Sequence, residues 1–88
     1  MLFMIVFEYS PENRQETVAR FMDTGAPPPD GVVMIGRWHD AAMGRGYTLA
    51  DAPDAQSVAM WCHRWADLIT MEIVPVIHDE QMTKVLSS

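Results

Sequence analysis

The first predicted strand constrains this chain most, because it is apolar on both of its sides. Residues 2–9 read Leu-Phe-Met-Ile-Val-Phe-Glu-Tyr, a short run of branched and aromatic side chains that is typical of a β-strand. Successive side chains of a strand point to opposite faces of its sheet. One face then carries Leu2, Met4 and Val6, and the other carries Phe3, Ile5, Phe7 and Tyr9. We therefore expect a central strand that is covered on both faces.

Signals for a first helix follow at once. Ser10 is a good N-cap and Pro11 suits the first helical position, while Gly25 is a typical C-cap. Apolar residues recur between them at helical spacing, so the sequence predicts a helix over residues 11–24. The proline-rich segment 26–31 then reads as a stiff loop that returns the chain to the sheet.

Two further strands read as a hairpin. Residues 32–39 and 46–51 are rich in strand-forming side chains and are separated by a short loop that contains Gly44. A second helix is predicted to begin at Ala52-Pro53-Asp54. Asp54 can cap it, or Asp51 can if Pro53 lies in the first turn. Its apolar stripe consists of Val58, Trp61, Cys62, Trp65 and Leu68.

A fourth strand covers residues 69–78 and contains Pro75. Proline cannot donate a ladder hydrogen bond, which places this strand at an edge of the sheet. Residues 79–88 read as a short helix or a frayed tail. The whole of residues 1–88 therefore forms a single α+β domain of ferredoxin-like β-α-β-β-α-β order. Right-handed crossovers give a four-stranded antiparallel sheet in the order 4-1-3-2, with both helices on one face.

A fold of this kind leaves the second face of the sheet uncovered. The sequence is 49% apolar, which is generous for 88 residues, and a solvated face should alternate apolar with polar side chains. The first and fourth strands do not alternate in this way. We therefore expect a homodimer in which the open sheet face of one subunit covers that of the other.

Charge excludes some classes of partner. The formal net charge is −6, and the six Lys and Arg residues do not cluster, so neither nucleic acid nor an anionic membrane is an expected partner. Cys62 is the single cysteine, which rules out a disulfide within the chain. The apolar N-terminal run is too short to span a bilayer. We expect a cytoplasmic protein.

Several stretches of the sequence resemble a known group of proteins. They are the start Met1-Leu-Phe-Met-Ile-Val, the segment Gly36-Arg-Trp-His, the Trp61-Cys-His-Arg-Trp-Ala-Asp-Leu68 stretch and Glu72-Ile-Val-Pro-Val76. In these the chain is similar to a family of short, uncharacterised bacterial proteins within the dimeric α/β-barrel superfamily. The resemblance implies ferredoxin-like subunits that pack sheet against sheet around a cavity. That superfamily includes small oxygenases, haem-degrading enzymes, isomerases and ligand-binding proteins, so it implies no single reaction.

Arg37 and His39 are the best candidates for chemistry. They alternate with Trp38, so both point to the same face of the predicted strand. If Met34 and Trp38 pack under the helices, then Arg37 and His39 line the open face between the two subunits, together with Thr48 from the neighbouring strand. An arginine and an imidazole above an apolar floor suit a ligand that carries a carboxylate, with His39 as the candidate catalytic acid, base or axial ligand. The alternative is that both side chains reach solvent or pair with Asp40 or Glu8.

The remaining reactive side chains give weaker signals. The three histidines lack metal-ligand spacing, so no metal and no cofactor are expected. Cys62 lies on the apolar helix stripe and reads as a buried small hydrophobe. The three tryptophans, Trp38, Trp61 and Trp65, read as core rather than as an aromatic binding box.

Two functions remain open at the level of sequence. The first is a homodimeric interaction or ligand-binding module, whose interior holds a small apolar or anionic molecule or is simply packed. The alternative is a small cofactor-free oxygenase or isomerase that uses His39 and Arg37 in a cavity between the sheet faces. An open cavity around these two residues would favour a ligand or substrate, whereas a filled one would favour a structural dimer.

Overall fold

The computed structural model describes residues 1–88, and its first six elements follow the predicted order β-α-β-β-α-β. The strands are β1 (Leu2–Tyr9), β2 (Val33–His39), β3 (Arg45–Asp51) and β4 (Ile69–Val76), and the helices are α1 (Arg14–Thr24), α2 (Ala55–His63) and α3 (Asp79–Ser87). The protein is an α+β domain with one open, antiparallel, four-stranded sheet. A third helix, α3, occupies residues for which the sequence predicts either a short helix or a frayed tail.

The sheet has the order β2-β3-β1-β4, which is the order 4-1-3-2 read from the opposite edge. Strand β1 is central and pairs with β3 on one side and β4 on the other. Pro75 accordingly lies in an edge strand, where the missing N–H breaks no ladder on the outer side.

The ends of the helices follow local chemistry. Gly25 ends α1 in the left-handed conformation, with φ 74°, and its N–H donates to the carbonyl of Phe21, as a C-cap glycine does. Asp54 caps α2 by accepting a hydrogen bond from the backbone N–H of Ser57 at 2.8 Å. The prediction of Ser10 as the N-cap of α1 is wrong. Residues 11–13 form turns instead, and α1 begins after Asn13, whose side chain donates to the carbonyl of Leu68.

The core lies between α2 and one face of the sheet. Its buried side chains are Phe3, Ile5, Val32, Ala50, Ala52, Val58, Trp61 and Cys62. Residues directly opposite one another on neighbouring strands share a face, and the registers place Phe3 and Ile5 on the same face as Ala50 and Thr48. We call this the helix face.

The opposite face of the sheet, which we call the open face, has no element packed on it from within the chain. Its apolar side chains are Leu2, Met4, Val6, Val33, Trp38, Leu49, Val74 and Val76. Val33 and Trp38 are more than half exposed. Helix α3 has no buried residue either, and it exposes Met82, Val85 and Leu86 at helical spacing. No helix of the protein has the length and apolarity needed to cross a membrane.

A β-bulge in β2 overturns the predicted faces of that strand. The register with β3 shifts between Met34 and Gly36, so one extra residue is inserted and every later side chain changes face. Trp38, expected under the helices, lies on the open face, with its ring against Gly36. Arg37 and His39, expected on the open face, lie on the helix face with Thr48.

Candidate functional site

A pocket of about 280 Å³ lies between α1, α2 and the helix face of the sheet. Arg37, His39 and Thr48 all line it. The three candidates therefore do meet at one cavity, but that cavity is inside a single subunit rather than between two sheet faces. Most of the other lining side chains are apolar: Ile5, Phe7, Tyr9, Val18, Phe21, Met22, Met43, Trp61, Trp65, Ile69 and Met71.

Polar contacts, more than apolar packing, hold α1 above this pocket. The guanidinium of Arg20 makes two hydrogen bonds to the carboxylate of Asp67, at 2.9 and 2.7 Å, and a third to the carbonyl of Arg64. This pairing holds the pKa of the Asp67 carboxyl below its usual value. Val18 and Met22 of α1, by contrast, stay partly or largely exposed at the pocket. The cavity occupies the space that a well-packed helix would fill.

Arg37 lies between the sheet and the C-terminal end of α1. Its Nη2 donates to the carbonyl of Ala26 at 2.7 Å and its Nη1 to the carbonyl of Gly25 at 3.3 Å, while Nε donates to Oγ1 of Thr48 at 3.4 Å. These bonds satisfy the carbonyls of the two residues that follow α1, and a cation is favourable near the C-terminal end of a helix.

The backbone turns sharply where Arg37 binds it. Gly25 has φ 74° and Ala26 has φ 45°, and a positive φ is strained for an alanine. The Arg37 contacts stabilise this reversal after α1.

Aromatic rings surround the guanidinium. The Cζ atom of Arg37 lies 5.5 Å from the ring centroid of Phe21 and 5.9 Å from that of Trp61, within the range of cation–π attraction. Partial burial lowers the pKa of the Arg37 guanidinium, yet arginine stays charged at every pH at which proteins are handled. The pocket therefore contains a permanent positive charge among aromatic faces.

His39 lies nearer the mouth and is exposed. Its ring centroid is 6.0 Å from that of Phe7, in an edge-to-face arrangement, and 5.6 Å from that of Phe21. Neither ring nitrogen has a hydrogen-bond partner within the protein, so both remain free for a ligand or water. The alternative pairing of Arg37 and His39 with Asp40 or Glu8 is absent, and Glu8 pairs with Arg45.

Cys62 forms part of the buried wall of the pocket. Burial raises the pKa of its thiol to about 11, so the group stays neutral near pH 7 and is a poor nucleophile. This agrees with its interpretation as a small hydrophobe. The histidines and acidic residues do not gather around it, and no group of three or more His, Cys, Asp or Glu side chains could hold a metal ion.

The tryptophans divide among three environments. Trp61 is buried at 5% exposure in the core, as predicted, and also borders the pocket. Trp65 is only half-buried, with the Cζ atom of Arg20 5.4 Å from its ring centroid. Trp38 is 54% exposed, so its assignment to the core is wrong, and the bulge in β2 is the cause.

Sequence reasoning missed most of the pocket walls. Phe21 and Trp61 bracket the guanidinium, and the carbonyls of Gly25 and Ala26 anchor it. Of these four residues only Trp61 was considered for a binding role, and it was assigned to the core. The helical spacing of Val18, Phe21 and Met22 marks an apolar face on α1. It does not reveal that this face stands away from the sheet.

One comparison with known proteins gives a match. The family described as "Domain of unknown function (DUF3303)" matches residues 1–88, and the chain belongs to that family. No curated protein and no solved structure matches the chain.

Proposed function

We propose that this protein binds a small, mainly apolar molecule in the pocket beneath α1. The observation that carries the proposal is the cavity of about 280 Å³, near the lower end of the roughly 300–1,000 Å³ of ordinary ligand sites. Its walls are apolar and aromatic, with a few polar groups at one side, which is the usual composition of a small-molecule site. Apolar walls that face water lack the stabilisation of burial, which a bound apolar molecule would restore.

The test is a variant that fills the mouth of the pocket without disturbing the core. Val18 lines the pocket from α1 and is 36% exposed, so Val18→Trp places a large side chain at the opening. We expect binding of a small aromatic probe, measured by calorimetry, to fall at least ~10-fold, since the indole occupies the ligand volume. Ala19→Trp, one position along on the exposed side of α1, is the matched control.

Equal probe affinity in the Val18→Trp and Ala19→Trp variants would place binding elsewhere. Native mass spectrometry of the freshly purified protein complements this test, because a reproducible added mass identifies the natural ligand. Loss of that mass in Val18→Trp alone supports the pocket.

We further propose that the protein is a homodimer of the dimeric α/β-barrel type, with ferredoxin-like subunits that meet through their open faces. The open face is a continuous apolar surface of a kind that monomers rarely expose. It is also nearly neutral, because at its rim Glu8 pairs with Arg45 and Asp51 pairs with the amino group of Met1. Glu72 is then the unpaired charge within it. A surface that is apolar and neutral is complementary to a second copy of itself, as a two-fold interface requires.

One observation favours an alternative function, that of a small cofactor-free oxygenase or isomerase. His39 and Arg37 line the same pocket, and both nitrogens of the imidazole are free to exchange a proton with a bound substrate. In that case the His39→Ala variant should still bind the ligand that is detected as added mass but should no longer convert it. Mass spectrometry of the ligand over time measures the conversion. Conversion that continues in His39→Ala would exclude this role.

A further inference from the structure

The side chains that line the pocket include a positive charge but no negative one. The protein has twelve acidic residues and six Lys and Arg, yet no Asp or Glu lines this cavity, whereas Arg37 does. The protein as a whole is therefore acidic while its cavity is positive. Charge inside a low-dielectric cavity acts on a ligand much more strongly than charge on the solvated surface.

Arg37 has no counter-ion. The three ion pairs of the protein join Met1 to Asp51, Arg20 to Asp67 and Arg45 to Glu8. All three partners of the Arg37 guanidinium are neutral oxygens. A half-buried cation that has lost part of its hydration gains most from a charged acceptor.

The guanidinium also has hydrogen-bonding capacity left. It carries five N–H groups, and three of them donate to Thr48, Gly25 and Ala26. One N–H remains on each terminal nitrogen. A carboxylate can therefore accept a hydrogen bond from the guanidinium without displacing any of these three contacts.

The rest of the cavity excludes highly charged or bulky anions. Burial of a doubly charged phosphate costs more than burial of a single carboxylate, and Arg37 is the only Lys or Arg among the lining residues. The wall formed by Cys62 adds no charge, since its thiol is neutral. The remaining surface is apolar and the volume is small.

From this arrangement we infer that the natural ligand is a small monocarboxylic acid with an apolar body, its carboxylate on Arg37 and its body against Phe21, Trp61 and the sheet. This inference rests on the proposed function, because it assigns chemistry to the same pocket. The carboxylate supplies the missing counter-ion, and the body fills the void below α1.

Phenylacetate and phenylacetamide are the probes that test it. They have the same shape and differ in charge, so their relative affinity for the full-length protein isolates the contribution of the carboxylate. We expect calorimetry to show the acid binding at least ~10-fold more tightly than the amide. Equal affinities would overturn the inference and leave the apolar pocket in place. No binding of either probe, together with no added mass on the purified protein, would overturn the proposed function as well.

Substitution of Arg37 tests whether its guanidinium causes the preference for the acid over the amide. Arg37→Gln should remove the preference for the acid over the amide, whereas Arg37→Lys should keep part of it, and both variants should still bind the amide measurably. Amide binding thus reports whether the pocket has survived the loss of the Gly25 and Ala26 contacts. Arg14→Gln removes an exposed cation of α1 outside the pocket and is the control. A preference that persists in Arg37→Gln would contradict the assignment.

Discussion

The helix face and the open face of the sheet are formed by the same strands, and both are apolar, yet they differ in how they are covered. On the helix face, α2 packs directly and buries Phe3, Ile5 and Ala50, while α1 stands off and leaves a pocket. On the open face nothing packs, and Val33 and Trp38 are more than half exposed. Apolar composition therefore does not determine burial within the chain. It marks surfaces that gain from an occupant, and we propose a ligand on one side and a second copy on the other.

The largest expected difference between the two faces is in the stability lost when a tryptophan is removed, Trp61 from the helix face or Trp38 from the open face. Trp61→Ala should lower the free energy of unfolding by about 3–5 kcal/mol, because it opens a cavity in the core. Trp38→Ala should change it far less when the protein is diluted to the monomer, since that ring is exposed there. Urea denaturation at fixed concentration measures both. Equal losses would show that the two faces are not distinct in the monomer.

A charge on the open face tests the proposed dimer. Val74→Glu should weaken self-association roughly 100-fold, because it buries a second carboxylate beside that of Glu72 in an apolar interface. The fold should be retained, as judged by circular dichroism. Sedimentation velocity measures the change, and Met60→Glu, on an exposed position of α2, is the control. Wild-type protein that stays monomeric at ~100 μM would remove the basis for the dimer.

Gly46 and Gly36 each lie against an aromatic ring, one on each face, so substituting them tests how tightly that ring is held. A Cβ at Gly46 would lie 2.1–2.9 Å from the ring of Phe7, which is held between Tyr9 and His39 on the helix face. Gly46→Ala should therefore cost about 1–3 kcal/mol by overpacking.

A Cβ at Gly36 would meet the ring of Trp38 at 2.6–3.2 Å. That ring is free to swing into solvent, so Gly36→Ala should cost less than about 1 kcal/mol in the monomer. Thermal melts of the two variants measured side by side give the difference. A larger loss for Gly36→Ala than for Gly46→Ala would reverse the expected order.

The smallest expected effect concerns the thiol of the pocket wall. With a pKa of about 11, Cys62 should react with iodoacetamide at pH 8 at least ~10-fold more slowly in the folded protein than after unfolding in guanidinium. Because the folded pKa lies above the unfolded value, this group's contribution to stability is complete below about pH 9 and is lost as the pH rises towards 11. Phenylacetate should slow alkylation further. Equal rates in folded and unfolded protein would show that the thiol is not confined.

The sequence by itself determined the elements and their order, since these depend on signals that act over a few residues. The two-sided apolar run of β1 predicted its central place, Gly25 and Asp54 marked helix ends, and Pro75 placed β4 at an edge. The meeting of Arg37, His39 and Thr48 at one site was also predicted, because two residues apart on one strand share a face and Thr48 is on the neighbouring strand.

Only the tertiary structure decided which face that site occupies. The alternation of a strand identifies residues that share a face but cannot reveal an inserted residue, and the bulge between Met34 and Gly36 appears only when β2 pairs with β3. The pocket itself has the same origin. Its volume depends on how far α1 stands from the sheet, and that distance is set by contacts of Arg20 and Arg37 with residues remote in the sequence. Local patterns specify short-range conformation, whereas cavities and faces result from long-range packing.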